Sequence, residues 1–291
     1  MNLPIRTIVF PVDCSTRSRL AAPYVQAAAA RFGARVLAVH VVDPVEHVVH
    51  MLESAGLATD EVRARWVMQG RTRLETFVKQ ELAGVDAELI VEEGEAGRHV
   101  IDIAHRRAAD WIMMPTHGFS VFRRFILGSV TARVLHDAHC PVWTAAIHED
   151  GQDRAQVSPK EVIAAVGFDD KSEHVLQYAS DLCHDLHAAL TVVHATPAVS
   201  TPALDWAGGD FNDKIVHQAS HALGVLLGKL NIKGHIVVRC GEVERVVSAV
   251  ATERCADLIV IARGAVTAGA GRLRAHSYGI VNEAPCPVLS V

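Results

Sequence analysis

The sequence predicts an α/β protein that consists of two doubly wound, five-stranded parallel-sheet domains in a tandem repeat. One observation is the repeat itself: His139-Cys140-Pro141-Val142 in the first half returns as Pro285-Cys286-Pro287-Val288 in the second. A second observation is that strand-like and helix-like segments alternate in the same order in both halves. Such alternation forms right-handed βαβ crossovers and a parallel sheet that helices cover on both faces.

The apolar pattern of the first half predicts its elements in order. Ile8–Val12 is a continuous apolar run, as expected of a strand buried on both faces. Gly33 follows the Ala-rich segment Ser18–Phe32 as a natural helix stop, and Asp60 is a suitable N-cap for a long helix through Leu82. The predicted strands are 8–12, 36–42, 87–91, 111–114 and 142–145, and the remaining helices are 97–107 and 130–136.

The second half repeats this order of elements. Its predicted strands are 162–167, 190–194, 235–238, 258–261 and 288–291, and its predicted helices are 172–186, 211–230, 242–253 and 276–281. The segment 148–159 between the halves is polar and rich in turn formers, as expected of a domain boundary. The predicted domains are therefore residues 1–147 and 160–291.

Composition excludes several classes of function. The formal net charge is −5 and no long basic run occurs, which argues against nucleic acid as a partner. No apolar run approaches the roughly 20 residues that span a bilayer, and the N-terminus lacks the pattern of a signal peptide. Six cysteines without a C-x-x-C pair indicate reduced and mostly buried thiols. We expect a soluble cytoplasmic protein.

The ends of two predicted strands in the first half carry candidate binding residues. In a doubly wound sheet, ligands bind beyond the carboxyl ends of the strands, where the strand order reverses. The first strand ends near Asp13, and Gly128 opens a helix whose free N–H groups favour an anion. The candidate site residues are Pro11, Val12, Asp13, Val41, Met114, Pro115, His117, Gly118, Gly128, Ser129, Val130 and Thr131.

Several of these side chains have a specific expected role. Gly118 permits close approach of the backbone to a ligand. The hydroxyls of Ser129 and Thr131 are placed to bind phosphate oxygens, and Asp13 is placed to accept from a ribose hydroxyl or an adenine amino group. His117 either contacts a ligand or caps a turn.

The ordered set of these motifs resembles the universal stress protein family. The resemblance rests on Val12-Asp13-x-Ser15, Thr116-His117-Gly118, Leu127-Gly128-Ser129-Val130 and Cys140-Pro141-Val142, and it extends over the chain twice. It implies two domains with the fold of the adenine nucleotide alpha hydrolases and the strand order 3-2-1-4-5. It also implies that the two halves associate through their last strands.

The resemblance implies ATP or ADP as the ligand of the first half, with or without Mg²⁺. ATP-binding members carry G-x-x-G-x9-G-[ST]; here Pro115 stands at the first glycine, whereas Gly118, Gly128 and Ser129 match. The implied contacts are adenine against Pro11, Asp13 and Val41, ribose near Asp13 and residue 115, and phosphates at Gly118, Gly128, Ser129 and Val130.

Pro115 leaves two alternatives open. Proline has no N–H and a fixed φ near about −65°, so its ring crowds the sugar if the family glycine serves close approach. If the backbone there is merely extended, proline is harmless.

The second half departs further from the family pattern. Gly167 stands at the place of Asp13, Ile261 at that of the first glycine, and Arg274-Ala275 at that of Gly128-Ser129. We therefore expect at most one nucleotide per chain, bound in the first half.

Three functions compete at this point. The first is a stress-response regulatory or adaptor protein that binds ATP or ADP and has an unknown protein partner. The second is a tandem scaffold that keeps the fold without binding nucleotide. The third, a related enzyme such as a ligase, is disfavoured because Cys14-Ser15-Thr16-Arg17 lacks a glycine-serine phosphate loop. No nucleophile has an activating neighbour, so at most slow ATP hydrolysis or self-phosphorylation is expected.

Other features lead to weaker expectations. Glu46-His47-x-x-His50 and His184-x-x-His187 have metal-ligand spacing without a third ligand nearby in the sequence, and they are interpreted as ordinary histidines. The insertion 43–59 is either a lid over the crevice or an interface. A homodimer is a further expectation.

Overall fold

The structure is a computed structural model. It describes residues 3–43, 59–116, 127–145, 158–197, 210–263 and 271–291. The chain divides into two compact units, one of Pro4–Gly151 and one that holds Gln152–Val291.

The first unit alternates strands and helices along the described chain. Its strands are β1 (Thr7–Pro11), β2 (Arg35–Val42), β3 (Ala87–Glu93), β4 (Trp111–Pro115) and β5 (Val142–Ala145), and its helices are α1 (Thr16–Phe32), α2 (Thr59–Glu81), α3 (Ala96–Arg106) and α4 (Ser129–Asp137). All neighbouring strands are parallel, in the order β3-β2-β1-β4-β5.

The second unit has the same plan. Its strands are β6 (Glu161–Ala165), β7 (Ala189–Thr196), β8 (His235–Cys240), β9 (Leu258–Ile261) and β10 (Val288–Ser290), and its helices are α5 (Ser172–Leu186), α6 (Asp210–Leu230), α7 (Val243–Glu253) and α8 (Gly271–Glu283). Its parallel strands run in the order β8-β7-β6-β9-β10. The predicted α/β fold with strand order 3-2-1-4-5 in each repeat is confirmed.

Local residue choices explain where the elements of the first unit begin and end. The Ser15 side chain caps α1 by accepting from the Ser18 N–H, and Gly33 ends that helix at φ 66°. The central strand β1 is fully buried at Ile8, as its apolar run predicts. Asp60 lies within the first turn of α2 rather than at its N-cap.

The repeat extends to individual hydrogen bonds. Asp110 Oδ2 accepts from the N–H groups of Arg6 and Thr7 at 2.7 and 2.9 Å. Asp257 Oδ2 accepts in the same way from the N–H groups of Lys160 and Glu161, at 2.8 and 3.0 Å. In each unit a carboxylate after a helix therefore fixes the start of the central strand.

The strand register corrects one alignment made from sequence. β1 pairs with β4 through Trp111, and β6 pairs with β9 at the equivalent step through Leu258. Residue 115 therefore corresponds to Ala262 and not to Ile261. Counting back from the Cys-Pro-Val repeat gave the wrong residue because the connection from β9 to β10 is one residue shorter than that from β4 to β5.

Two further observations concern burial. Cys183 and Cys286 are buried, Cys255 is exposed and the other cysteines are half-buried, so the expectation of mostly buried thiols is wrong. Of the helices that the structure describes, none has the length and apolar character needed to cross a membrane.

Candidate functional site

A cavity of about 410 Å³ opens at the carboxyl ends of β1, β2 and β4. Its volume lies within the range of about 300–1,000 Å³ that is typical of small-molecule sites. Every predicted site residue that the structure describes lines this cavity: Pro11, Val12, Asp13, Val41, Met114, Pro115, Gly128, Ser129, Val130 and Thr131. His117 and Gly118 lie outside the described residues.

Four further residues line the cavity and were missed from the sequence: Ser18, Val39, Ala96 and Val100. Two of them follow simple periodicities. Val39 is two residues before Val41 on the same face of β2, and Val100 is one turn after Ala96 on α3. The strand side of the cavity is thus an apolar wall, which suits the uncharged face of a ligand.

Asp13 is oriented by the first turn of α1. Its Oδ1 accepts from the Ser15 N–H at 2.9 Å and from the Ser18 hydroxyl at 2.6 Å. Two donors fill the two lone pairs of that oxygen, so a ligand must bind Asp13 through Oδ2. The sequence predicted Asp13 but gave no reason to expect the serine pair that holds it.

The first turn of α4 supplies the positive end of the site. Gly128 is its N-cap and makes no side-chain cap hydrogen bond, whereas Glu95 caps α3 by accepting from the N–H groups of Gly97 and Arg98, at 2.9 and 3.2 Å. The Gly128 N–H itself donates to the Thr116 carbonyl at 3.1 Å. The N–H groups of Ser129 and Val130, which line the cavity, are therefore those that the helix offers to an anion.

The Thr131 side chain makes a hydrogen bond within the protein. Its buried hydroxyl donates to the carbonyl oxygen of Pro115 at 3.2 Å. In the second unit Ser277 donates to the carbonyl of Ala262, also at 3.2 Å. Because the bond recurs at equivalent positions, it is a clamp between strand and helix, and the donation from Thr131 to phosphate stays a prediction.

Pro115 is the last residue of β4 and pairs in register with Ala145. Its backbone is extended, so the position does not need the left-handed conformation that favours glycine. The fold therefore accommodates the proline, and its ring forms part of the apolar wall. The described lining of the cavity includes Asp13 and no lysine or arginine.

The corresponding crevice of the second unit differs in its first-strand loop. Gly167 stands at the place of Asp13, and Asp169 takes over the contact with the first helix, at 2.7 Å from the Ser172 hydroxyl. Lys171 Nζ donates to the Arg263 carbonyl at 2.6 Å and so links the loop after β6 to the end of β9.

The helix side of that crevice also differs. α8 begins at Gly271, about one turn before Ala275, the counterpart of the first residue of α4. The backbone amides that open the helix in the first unit therefore lie inside the helix here, and the predicted start at His276 is too late. His276, the counterpart of Val130, pairs with Glu244 of α7 at 2.9 Å.

Glu244 has a pKa below its ordinary value of 4.5. Burial alone would raise this pKa, but hydrogen bonds from its own backbone N–H and from His276 outweigh burial and favour the carboxylate. The counterpart of Glu244 in the first unit is Gly97, which leaves no room for an added Cβ near Glu95 and Arg133.

The predicted metal-ligand spacings do not form a metal site in the described residues. No group of three or more His, Cys, Asp or Glu side chains is placed there to hold a metal ion. His187 is the left-handed C-cap of α5, with φ 56°, so it does not share a helix face with His184. Residues 46–50 lie outside the described part of the chain, as does most of the insertion 43–59.

The fold defines a tandem α/β protein, and its first unit has a cavity at the strand-order switch. The sequence profile described as the universal stress protein family matches residues 4–145 and 159–291. The chain therefore belongs to the universal stress protein family and carries its domain twice.

Individual relatives agree with this assignment. Over 137 residues the chain is 30% identical to a universal stress protein of Methanocaldococcus jannaschii, a match that covers 47% of this chain and 79% of the relative. A universal stress protein of Thermus aquaticus is 28% identical over 137 residues, or 47% of this chain and 96% of the relative. A solved universal stress protein from Archaeoglobus fulgidus superposes with a TM-score of 0.72 at 20% identity and 99% and 97% coverage, which shows the shared fold.

Proposed function

We propose that this protein is a stress-response regulatory or adaptor protein that binds ATP or ADP in the cavity of its first unit. The observation that carries the proposal is the convergence of three features on one cavity. They are the apolar wall of β2 and β4, the oriented carboxylate of Asp13, and the uncapped first turn of α4. A nucleotide needs all three: an apolar surface for the base, an acceptor for the sugar and donors for phosphate.

The charge of the cavity is consistent with a nucleotide that enters with Mg²⁺. The described lining offers no cationic side chain, so the positive end of α4 is its source of attraction for phosphate. Mg²⁺ is usually bound through the phosphates and a few waters rather than by a protein cage, and it would supply the missing positive charge. The proposal assigns binding and no turnover.

The test is the stabilisation of the full chain by Mg-ATP and Mg-ADP. At a ligand concentration of about 100 times Kd, linkage raises the free energy of unfolding by about 2.7 kcal/mol, which is read as a rise in Tm. Gly128→Asp should remove this rise without loss of stability in the absence of ligand. Gly128 has φ −60° and ψ 145°, so aspartate fits there and its carboxylate would occupy the first-turn N–H groups itself.

A matched pair of variants distinguishes an effect at this cavity from a general effect of added negative charge. Ser129→Glu should abolish the shift because a carboxylate at the start of α4 repels phosphate. Ala275→Glu, at the equivalent position of the second unit, should leave it unchanged. If millimolar Mg-ATP and Mg-ADP leave the Tm of the wild type unchanged, the chain is instead a scaffold that keeps the fold without the ligand. The proline at position 115 favours that second candidate.

A further inference from the structure

A second cavity in the first unit shares no lining residue with the first and is larger, at about 610 Å³. It lies between α1 and α2 beside the end of β1, and we call it the arginine groove, after Arg19 and Arg73. Asp13 lines the nucleotide cavity, and the next residue, Cys14, lines the groove. We propose that the arginine groove binds a small organic anion, namely a carboxylate or phosphate carried on an apolar body.

The charges in the groove are of one sign. Arg19 and Arg73 both contribute to its lining, and the described lining contains no carboxylate. Arg73 forms no ion pair with any residue that the structure describes, and Arg19 reaches Glu81 only at 3.9 Å. A guanidinium without an acidic partner in a concave surface is suited to bind a carboxylate or phosphate through two parallel hydrogen bonds.

Both guanidiniums lie close enough to Cys14 to act on its thiol. Their charges favour the thiolate, although burial and then the charge of Asp13 outweigh them and raise the pKa of Cys14. The thiol therefore stays protonated at neutral pH, and Cys14 serves here as a marker of the groove and not as a nucleophile.

The groove also has two large apolar side chains, in a lining that includes the polar residues Gln69, Thr72, Thr76 and Gln80. Phe77 is buried beneath it and its ring centroid lies 6.1 Å from that of Phe10 in β1. Met68, at the rim, is 64% exposed, which is high for a large apolar side chain. A flexible thioether adapts to the shape of an alkyl or aryl group. Cations beside an apolar floor thus select an anion with an apolar body over a simple inorganic ion.

The proposal is tested with octanoate and its uncharged analogue octanamide, by calorimetry on the full chain at low salt. Octanoate should bind and octanamide should bind at least about tenfold more weakly, since a hydrogen bond to a charged group contributes that much or more. Arg73→Gln should weaken octanoate binding by a similar factor. Arg71→Gln is the matched control, because Arg71 pairs with Glu75 at 3.1 Å outside the groove lining.

Alkylation by iodoacetamide gives a second readout at a known position. Saturating octanoate should slow the modification of Cys14 several-fold and leave that of the exposed Cys255 unchanged, as measured by peptide mass spectrometry. Ser129→Glu should keep octanoate binding, since the groove does not depend on the nucleotide cavity. The proposal fails if octanamide binds as well as octanoate, if the Arg73 and Arg71 variants behave alike, or if Cys14 is not protected.

Discussion

The crevices of the two units share a backbone and differ in chemistry. In the first unit, Val130 lines the cavity at the start of α4, and Gly97 on α3 carries no side chain. At the same positions of the second unit, Glu244 and His276 form a hydrogen bond at 2.9 Å, and Lys171 Nζ donates to the Arg263 carbonyl. The duplication therefore provides an internal comparison, in which one fold carries two different sets of residues at the same place.

This difference separates residues that maintain the fold from residues that serve a ligand. The hydrogen bonds of Asp110 and Asp257, and those of Thr131 and Ser277, occur in both units and belong to the fold. Among the described residues at these positions, the oriented aspartate occurs in the first unit alone, and α8 begins about one turn earlier than α4. The oriented aspartate and the start of α4 are the features that a nucleotide would use.

The largest expected effect is that nucleotide slows hydrogen exchange in the first unit and not in the second. With Mg-ATP at about 100 times Kd, amides of β1 and β4 that exchange through unfolding of the first unit should exchange about 100-fold more slowly. Amides of β6 and β9 should keep their rates. Hydrogen exchange measured by mass spectrometry reports on the two units separately. Gly128→Asp is the control and should show no protection in either unit. Equal slowing in both units would contradict the assignment of one site per chain.

The clamp between strand and helix should have the next largest effect. Thr131→Val leaves the Pro115 carbonyl without its buried donor and should lower the free energy of unfolding by about 1–2 kcal/mol without any nucleotide. Ser277→Ala should cost less, since Ser277 is half-buried whereas Thr131 is buried. Urea denaturation followed by circular dichroism provides the measurement. If the Thr131 variant keeps the stability of the wild type but binds nucleotide more weakly, the hydroxyl binds the ligand and is not a clamp between strand and helix.

Pro115→Gly tests the residue that departs from the family pattern. The extended backbone at position 115 suits proline, so glycine should lower stability by about 0.5–1 kcal/mol through the entropy of the unfolded chain. Because the ring forms part of the wall, we expect no gain in ATP affinity. Ala262→Gly, at the equivalent position of the second unit, is the control for the backbone effect. Tighter ATP binding by the Pro115 variant alone would show that the ring crowds the sugar.

Most of the fold and much of the first unit's cavity could be predicted because both depend on local patterns. The apolar run of β1, the Gly33 stop of α1 and the Gly128-Ser129 start of α4 are each visible in a few consecutive residues. In a doubly wound sheet these strand ends and helix starts meet at one edge. The residues that line the cavity therefore follow once the order of elements is known.

The remaining features depend on contacts that no short pattern encodes. The direction of the Thr131 hydroxyl is set by a carbonyl in another element, 16 positions away in the chain. The equivalence of Ala262 and Pro115 in the repeat could be found only from the strand pairing of each unit. The arginine groove joins Arg19 of α1 to Arg73 of α2, and neither residue belongs to a motif.

The smallest expected effect is that of acid on the hydrogen bond between Glu244 and His276, whose counterparts in the first unit are Gly97 and Val130. The folded-state pKa of Glu244 is lowered, so its contribution to stability is present above about pH 4.5 and is lost as the pH falls through the folded value. Glu244→Gln should therefore be less stable than the wild type at pH 6, by less than about 1 kcal/mol, and the difference should shrink toward pH 3. The measurement is the urea midpoint of each protein across this range. Glu173→Gln, which removes an exposed pair with Lys229 at 2.7 Å in the same unit, is the control and should change little at any pH. A constant difference between the Glu244 variant and the wild type down to pH 3 would show that the charge of the Glu244 carboxylate does not stabilise the second unit.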